Sequence, residues 1–94
     1  MQRIRAFAAL SEQVFFSDHA RTRMLERDLT DVEVIRVLKL GEIDGQPWRE
    51  NEGDDMACKV VMRHPGGRVL AVVTIIITHQ ERLLVKTVEW EDLR

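Results

Sequence analysis

The sequence predicts an α+β fold, with two or three N-terminal helices packed on a three- or four-stranded antiparallel β-meander. Three observations carry this expectation. Up to residue 40 the apolar positions recur at helical spacing and are punctuated by capping residues. From residue 56 onward they alternate, or run without interruption, as they do in strands. Between the two stretches lies a polar segment broken by Gly45, Pro47, Asn51 and Gly53.

Residues 3 to 13 carry Ile4, Phe7, Ala8 and Leu10 beside Arg3 and Arg5, which suits a short amphipathic helix. Val14-Phe15-Phe16 then reads as a brief extended link. Ser17 or Asp18 caps a helix over residues 18 to 28, and Phe16 anchors the chain entry. Ala20 and Met24, with Leu25, give that helix an apolar strip. Thr30 and Glu33 form a capping box for a second helix, whose apolar face is Val34, Ile35, Val37 and Leu38. Gly41, directly after Leu40, is the expected left-handed stop.

Residues 42 to 44 begin an extended stretch, and 45 to 55 read as a loop with Trp48 folding it back onto the body. Over 56 to 63 the chain alternates, placing Met56, Cys58, Val60 and Met62 on one face and Ala57, Lys59, Val61 and Arg63 on the other. His64-Pro65-Gly66-Gly67 is a tight turn in which Gly66 takes positive φ. Residues 69 to 77 are apolar on both faces and therefore belong to a central strand, adjacent and antiparallel to 56 to 63. After a turn at residues 79 to 82, residues 83 to 90 return as the last strand.

With 94 residues the chain is read as one domain, spanning 1–94, that buries about 60 to 65% of its unfolded surface. Cys58 is the only cysteine and lies in an apolar run, which suits a core thiol in a reducing compartment. No stretch approaches the ~20 apolar residues of a membrane span, so a cytoplasmic protein is expected. The formal net charge is −2, but residues 42 to 55 hold six acids and one arginine. The remainder has 13 lysines and arginines against 10 acids, a mildly basic balance that leaves a nucleic-acid partner open.

His64 and His79 stand at opposite ends of one strand, roughly 33 Å apart for ten extended residues. They cannot share an ion, and His19, His64, His79 and Cys58 show none of the close pairings of zinc sites, so no metal or cofactor is expected. Phosphate-cradling glycine motifs and nucleophile elbows are absent too. What remains is a helical face. His19, Arg23, Glu26 and Arg27 stand at i, i+4, i+7 and i+8. An imidazole moves protons near neutral pH and arginines hold phosphate oxygens. Arg23 and Arg27, joined by Lys59 and Arg63, make either a concave phosphate-binding surface or solvated faces that keep the sheet soluble.

The run His19-Ala20, Arg23-Met24, Glu26-Arg27, followed by Leu29-Thr30, Val34, Leu38, Gly41 and Glu42-Ile43, resembles a widespread family of small bacterial proteins. Its typical line is H-A-x-x-R-M-x-E-R-G-I-S, then a helix and L-x-x-G-E-I, and its C-terminal T-V-Y is similar to Thr87-Val88-Glu89-Trp90. The resemblance spans about residues 15 to 90. That family, long labelled a domain of unknown function, is similar to RelE-like toxins and sits with the barnase, EndoU, colicin and RelE group of metal-independent ribonucleases. Asp28 stands where its line has glycine, a change that aspartate tolerates in a left-handed turn. Trp90 is one position from the family's tyrosine, and this chain has no tyrosine.

The resemblance implies a RelE-like fold and a toxin of a toxin-antitoxin pair that cleaves RNA, blocked by an antitoxin protein encoded by the adjacent gene. It points to His19, Arg23, Glu26 and Arg27 as catalytic residues, with Lys59, Arg63 and Thr87 contacting RNA from the sheet. A non-enzymatic protein-binding module on the same fold is the alternative.

Overall fold

The computed structural model describes residues 2–9, 11–50 and 55–92. Helix α1 (Gln2–Ala8) and a short 3-10 turn (Ser11–Gln13) lead into strand β1 (Val14–Phe16). Helices α2 (Asp18–Glu26) and α3 (Asp31–Leu40) follow, and then strands β2 (Glu42–Arg49), β3 (Met56–Arg63), β4 (Arg68–Ile77) and β5 (Arg82–Asp92). The strands form one sheet in the order β1-β5-β4-β3-β2.

The α+β class and the meander β2 to β5 agree with expectation, but the sheet is larger and mixed. β1, expected as a link, pairs parallel with β5, Val14 opposite Leu83 and Phe16 opposite Val85. β2 extends to Arg49 through residues expected to loop. It pairs antiparallel with β3 at Glu42–Val61 and again at Trp48–Ala57, with a register shift between Asp44 and Trp48. Gly45 takes φ 79° there, so the turn residues are accommodated as an irregularity on an edge strand, where unpaired backbone is tolerated. Trp48 does not fold back; it stays 40% exposed, its indole N–H donating to Glu50 at 3.1 Å. The remaining part of the expected loop, residues 51 to 54, lies outside the described residues, as do Leu10 and the side chain of Arg3.

The β3–β4 hairpin forms as expected, from Met56 opposite Ile76 to Arg63 opposite Val69, and Gly66 at its turn has φ 88°. β4 is the central strand of the five. Its inner face contributes the fully buried Leu70 and Val72 to a core shared with Cys58 and Val60 of β3, and with Leu83, Val85 and Val88 of β5. Ile4 and Ala8 of α1 and Val34, Val37 and Leu38 of α3 cover that face. Burial pushes the Cys58 thiol up from its ordinary pKa, in keeping with a core role.

The N-caps behave as the sequence predicts. The Thr30 hydroxyl accepts from the Glu33 N–H while the Glu33 carboxylate accepts from the Thr30 N–H, closing the capping box. α2 ends in a Schellman arrangement, with Leu29 N–H donating to Met24 O at 2.8 Å and Asp28 at φ 55°.

Gly41 departs from expectation: its φ is −79°, ordinary extended backbone. Glycine is needed for a different reason. A Cβ there would meet the carbonyl oxygens of Val37 and Val61 at 2.6 Å and Val60 Cγ1 at 2.9 Å, so the α3–β2 corner is pressed against β3 too closely for any side chain.

Candidate functional site

Helix α2 begins where β1 lets go of β5. The Ser17 N–H donates to Val85 O at 3.0 Å, and the Ser17 hydroxyl donates to Lys86 O at 3.0 Å while accepting from the Ala20 N–H. One serine thus caps the helix and ties it to β5. At that point Thr74 pairs with Val85 and Val73 with Thr87, so Lys86 is the extra residue of a bulge. α2 then packs along β5, with Ala20 and Met24 buried in the core. Leu25, assigned by sequence to the apolar strip, is 83% exposed instead, because the strip facing the body is only one residue wide per turn.

The opposite flank of α2 meets the outer face of the sheet. Thr87, Glu89 and Glu91 alternate along β5 on that face. Glu89 is the residue that organises the cluster. Its carboxylate accepts from Arg27 Nη2 at 2.6 Å and lies 3.7 Å from Arg23 Nε, and the Thr87 hydroxyl donates to it at 3.5 Å. Glu26 bridges the same two arginines from the helix side, 3.2 Å from Arg23 and 3.3 Å from Arg27. His19 is exposed at the rim, its Nε2 3.5 Å from Arg23 Nε. The four residues of the helical signature therefore do converge, and Thr87 joins them.

The sheet-side cations divide. Lys59 shares a cross-strand row with Val73 and Thr87. It is held by Asp44 at 3.2 Å and by Glu91, a pair that reaches across β4. Those contacts, Glu91 first, raise the Lys59 pKa against the opposing effect of burial. Arg63 points from the same strand face but lies four residues along, roughly 13 Å away. It is brought beside Arg36 of α3 and not beside α2. On the bulge, Lys86 pairs with Glu50 and holds that carboxyl below its usual range.

Electrostatically the site is balanced: Arg23, Arg27, Lys59 and Lys86 each have a carboxylate partner. Glu89 was the participant that sequence reasoning missed. Its signal was present in the T-V-Y comparison, since the alternation of β5 puts the tyrosine position on the outer face with Thr87. Trp90, the nearest aromatic, consequently faces inward, packing against the core and edge-on to His64 at 5.3 Å. His64 is likewise no free loop residue, its Nε2 being buried with no hydrogen-bond partner among the described residues. No group of His, Cys, Asp and Glu side chains among the described residues could hold a metal ion, and no helix among them is long and apolar enough to cross a membrane.

Fold and site together define an α+β domain in which an edge helix hangs a histidine and two arginines over the outer face of a mixed sheet. The chain belongs to the family DUF4258, a domain of unknown function, which matches residues 16–90. The matched span runs from the last residue of β1 to Trp90 and so contains the whole cluster. No curated protein and no solved structure matches the chain.

Proposed function

We propose that this domain is RelE-like and acts as a metal-independent endoribonuclease, a cytoplasmic toxin whose cognate antitoxin is encoded by the adjacent gene. The observation that carries the reading is the arginine fork. Arg23 and Arg27 already grip a carboxylate beside His19, and a seat that holds the oxygens of Glu89 suits the non-bridging oxygens of a phosphodiester.

RNA cleavage without a metal needs a base for the 2′-hydroxyl, charge to stabilise the phosphorane and an acid for the leaving oxygen. Glu26 receives the 2′-hydroxyl proton as the bond from the 2′-oxygen to phosphorus forms. Arg23 and Arg27 hold the phosphorane oxygens. His19 gives a ring proton to the 5′-oxygen as the bond from phosphorus breaks. The products are a 2′,3′-cyclic phosphate and a 5′-hydroxyl, with protons balanced between Glu26 and His19. Thr87 and Lys59 contact the RNA from the sheet.

A second reading, a non-enzymatic protein-binding module, is favoured by the charge balance of the cluster, which leaves little net attraction for a polyanion. Incubation of the purified chain with RNA in excess chelator, followed by end-group analysis, separates the two. The ribonuclease yields cyclic phosphate ends, and His19→Ala or Arg23→Ala lowers the rate on the order of 10² or more, as for a lost preorganised contact. Undiminished cleavage by folded His19→Ala removes the histidine from the mechanism. Activity abolished by chelator ends the metal-free scheme, and no cleavage by the unaltered chain leaves the binding module.

A further inference from the structure

Three arginines lie over aromatic rings among the described residues, and two of these stacks belong to the body of the fold. Arg21, over Phe16 at 4.2 Å, is paired with Asp31, and Phe16 packs against the core. Arg68 lies over Trp90 at 4.2 Å, and Trp90 packs inward. The third stack is exposed. Phe15 stands on the outer face of the sheet opposite Leu84, because its neighbours Val14 and Phe16 lie opposite the buried Leu83 and Val85. Phe15 is 42% exposed, and the guanidinium of Arg82 lies over its ring at 4.7 Å. Arg82 donates to the Gln80 side-chain carbonyl at 3.4 Å, and the Gln80 amide nitrogen is 3.3 Å from His79 Nε2. This corner adjoins the arginine fork. Phe15 precedes His19 by four residues, two of them extended and two in the first turn of α2, so their Cα atoms lie within roughly 10 Å. Thr87 of the fork shares the outer face with Phe15 and Leu84.

We infer that Phe15 and Arg82 form a base-stacking subsite for the nucleotide on the 3′ side of the scissile phosphate, so that the substrate is RNA unpaired at that position. The inference rests on the ribonuclease reading, in which His19 protonates the leaving 5′-oxygen. The nucleoside carrying that oxygen lies at the His19 end of the fork, which is the end nearest Phe15. Charge does not select this ligand, since Asp18 and Glu81 adjoin His19 and Arg82 in the chain. The ring and the guanidinium do: unpaired bases stack on aromatic faces and arginine planes, and every base has such a face to offer. Gln80 and His79 add hydrogen-bonding groups at the rim for a base edge. A base inside a duplex has both faces covered by its neighbours, so only an unpaired nucleotide reaches the ring. Trp48, the other exposed aromatic, is on β2 at the far edge of the sheet, three strands from β5.

The test is steady-state cleavage, by the full chain, of DNA oligonucleotides carrying a single ribonucleotide, which fixes the scissile bond. One substrate is intact, one is abasic at the next position downstream and one is abasic at the next position upstream. Loss of the downstream base is expected to lower kcat/KM about fivefold or more, mainly through KM, as for removal of one stacked base. Loss of the upstream base should matter less. Phe15→Leu keeps an apolar side chain without a ring, and should cleave the intact and downstream-abasic substrates alike, with KM raised and kcat nearly unchanged. Phe15→Trp should retain the dependence on the downstream base. Should Phe15→Leu fail to fold, Arg82→Gln, at an exposed position, should reduce the same dependence. Equal cleavage of intact and downstream-abasic substrates by the unaltered chain overturns the inference and leaves the ribonuclease reading standing. A larger effect of the upstream lesion does the same. A folded Phe15→Leu that keeps the base dependence also overturns it, and leaves the exposed ring to a protein partner. Failure to cleave even the intact substrate, or a ribonucleotide chain of the same sequence, ends the ribonuclease reading and this inference together.

Discussion

If Glu89 sits in a phosphate seat, then Glu89→Gln should improve RNA binding. The carboxylate lies 2.6 Å from Arg27 and 3.7 Å from Arg23. Glutamine keeps the shape and removes the charge, so the seat becomes more positive by one unit. A phosphate about 4 Å away gains about 1 kcal/mol per unit charge in water and about 4 kcal/mol at an effective dielectric of 20. The side chains of Arg27 and Arg23 are 22% and 37% exposed, so solvent screening holds the gain near the lower limit, about 1 to 1.4 kcal/mol. That corresponds to roughly five- to tenfold tighter binding. The assay is fluorescence anisotropy with a 2′-O-methyl oligonucleotide, which cannot be cleaved, at low salt and again at moderate salt, where the gain should shrink. A folded Glu89→Gln variant that binds no better than the unaltered chain refutes the identification of the fork as a phosphate seat.

Gly41→Ala should destabilise the fold by about 3 kcal/mol, because two of the three contacts are with backbone oxygens that cannot step aside. Calorimetry should record a melting temperature lower by roughly 12 to 24 °C for a domain of this size, and a loss of a few degrees would show that the α3–β2 corner relaxes. The Lys59 pKa is raised by Glu91 and Asp44, so the stabilisation from these pairs is complete below the ordinary lysine value and is lost as pH rises through the elevated one. The melting-temperature gap between the unaltered chain and Lys59→Met should therefore narrow in strongly alkaline buffer, and a constant gap would deny the pairs a role. Thr30→Ala, which removes the α3 cap, should cost about 1 kcal/mol in urea denaturation.

Local signals carried much of this protein. The α3 start, the α2 cap and the β3–β4 turn are each written within four or so residues, because a cap or a turn is satisfied by its own neighbours. The joint placement of His19, Arg23, Glu26 and Arg27 was legible for the same reason, since 3.6 residues per turn brings them to one flank wherever the helix packs. Tertiary structure decided what depends on distant partners. Val14–Phe16 is a strand only because β5 offers its edge, and β2 persists past Gly45 and Pro47 because pairing with β3 overrides local breakers. Glu89 reaches Arg27 from 62 positions away, and no periodicity announces such a contact. Gly41 is compact for a neighbour, Val61, that approaches only once the sheet has formed. The pairing of the α2 arginines with Glu89 follows from the same cause: helical spacing sets which face carries those charges, whereas the packing of α2 on β5 decides which carboxylate they meet.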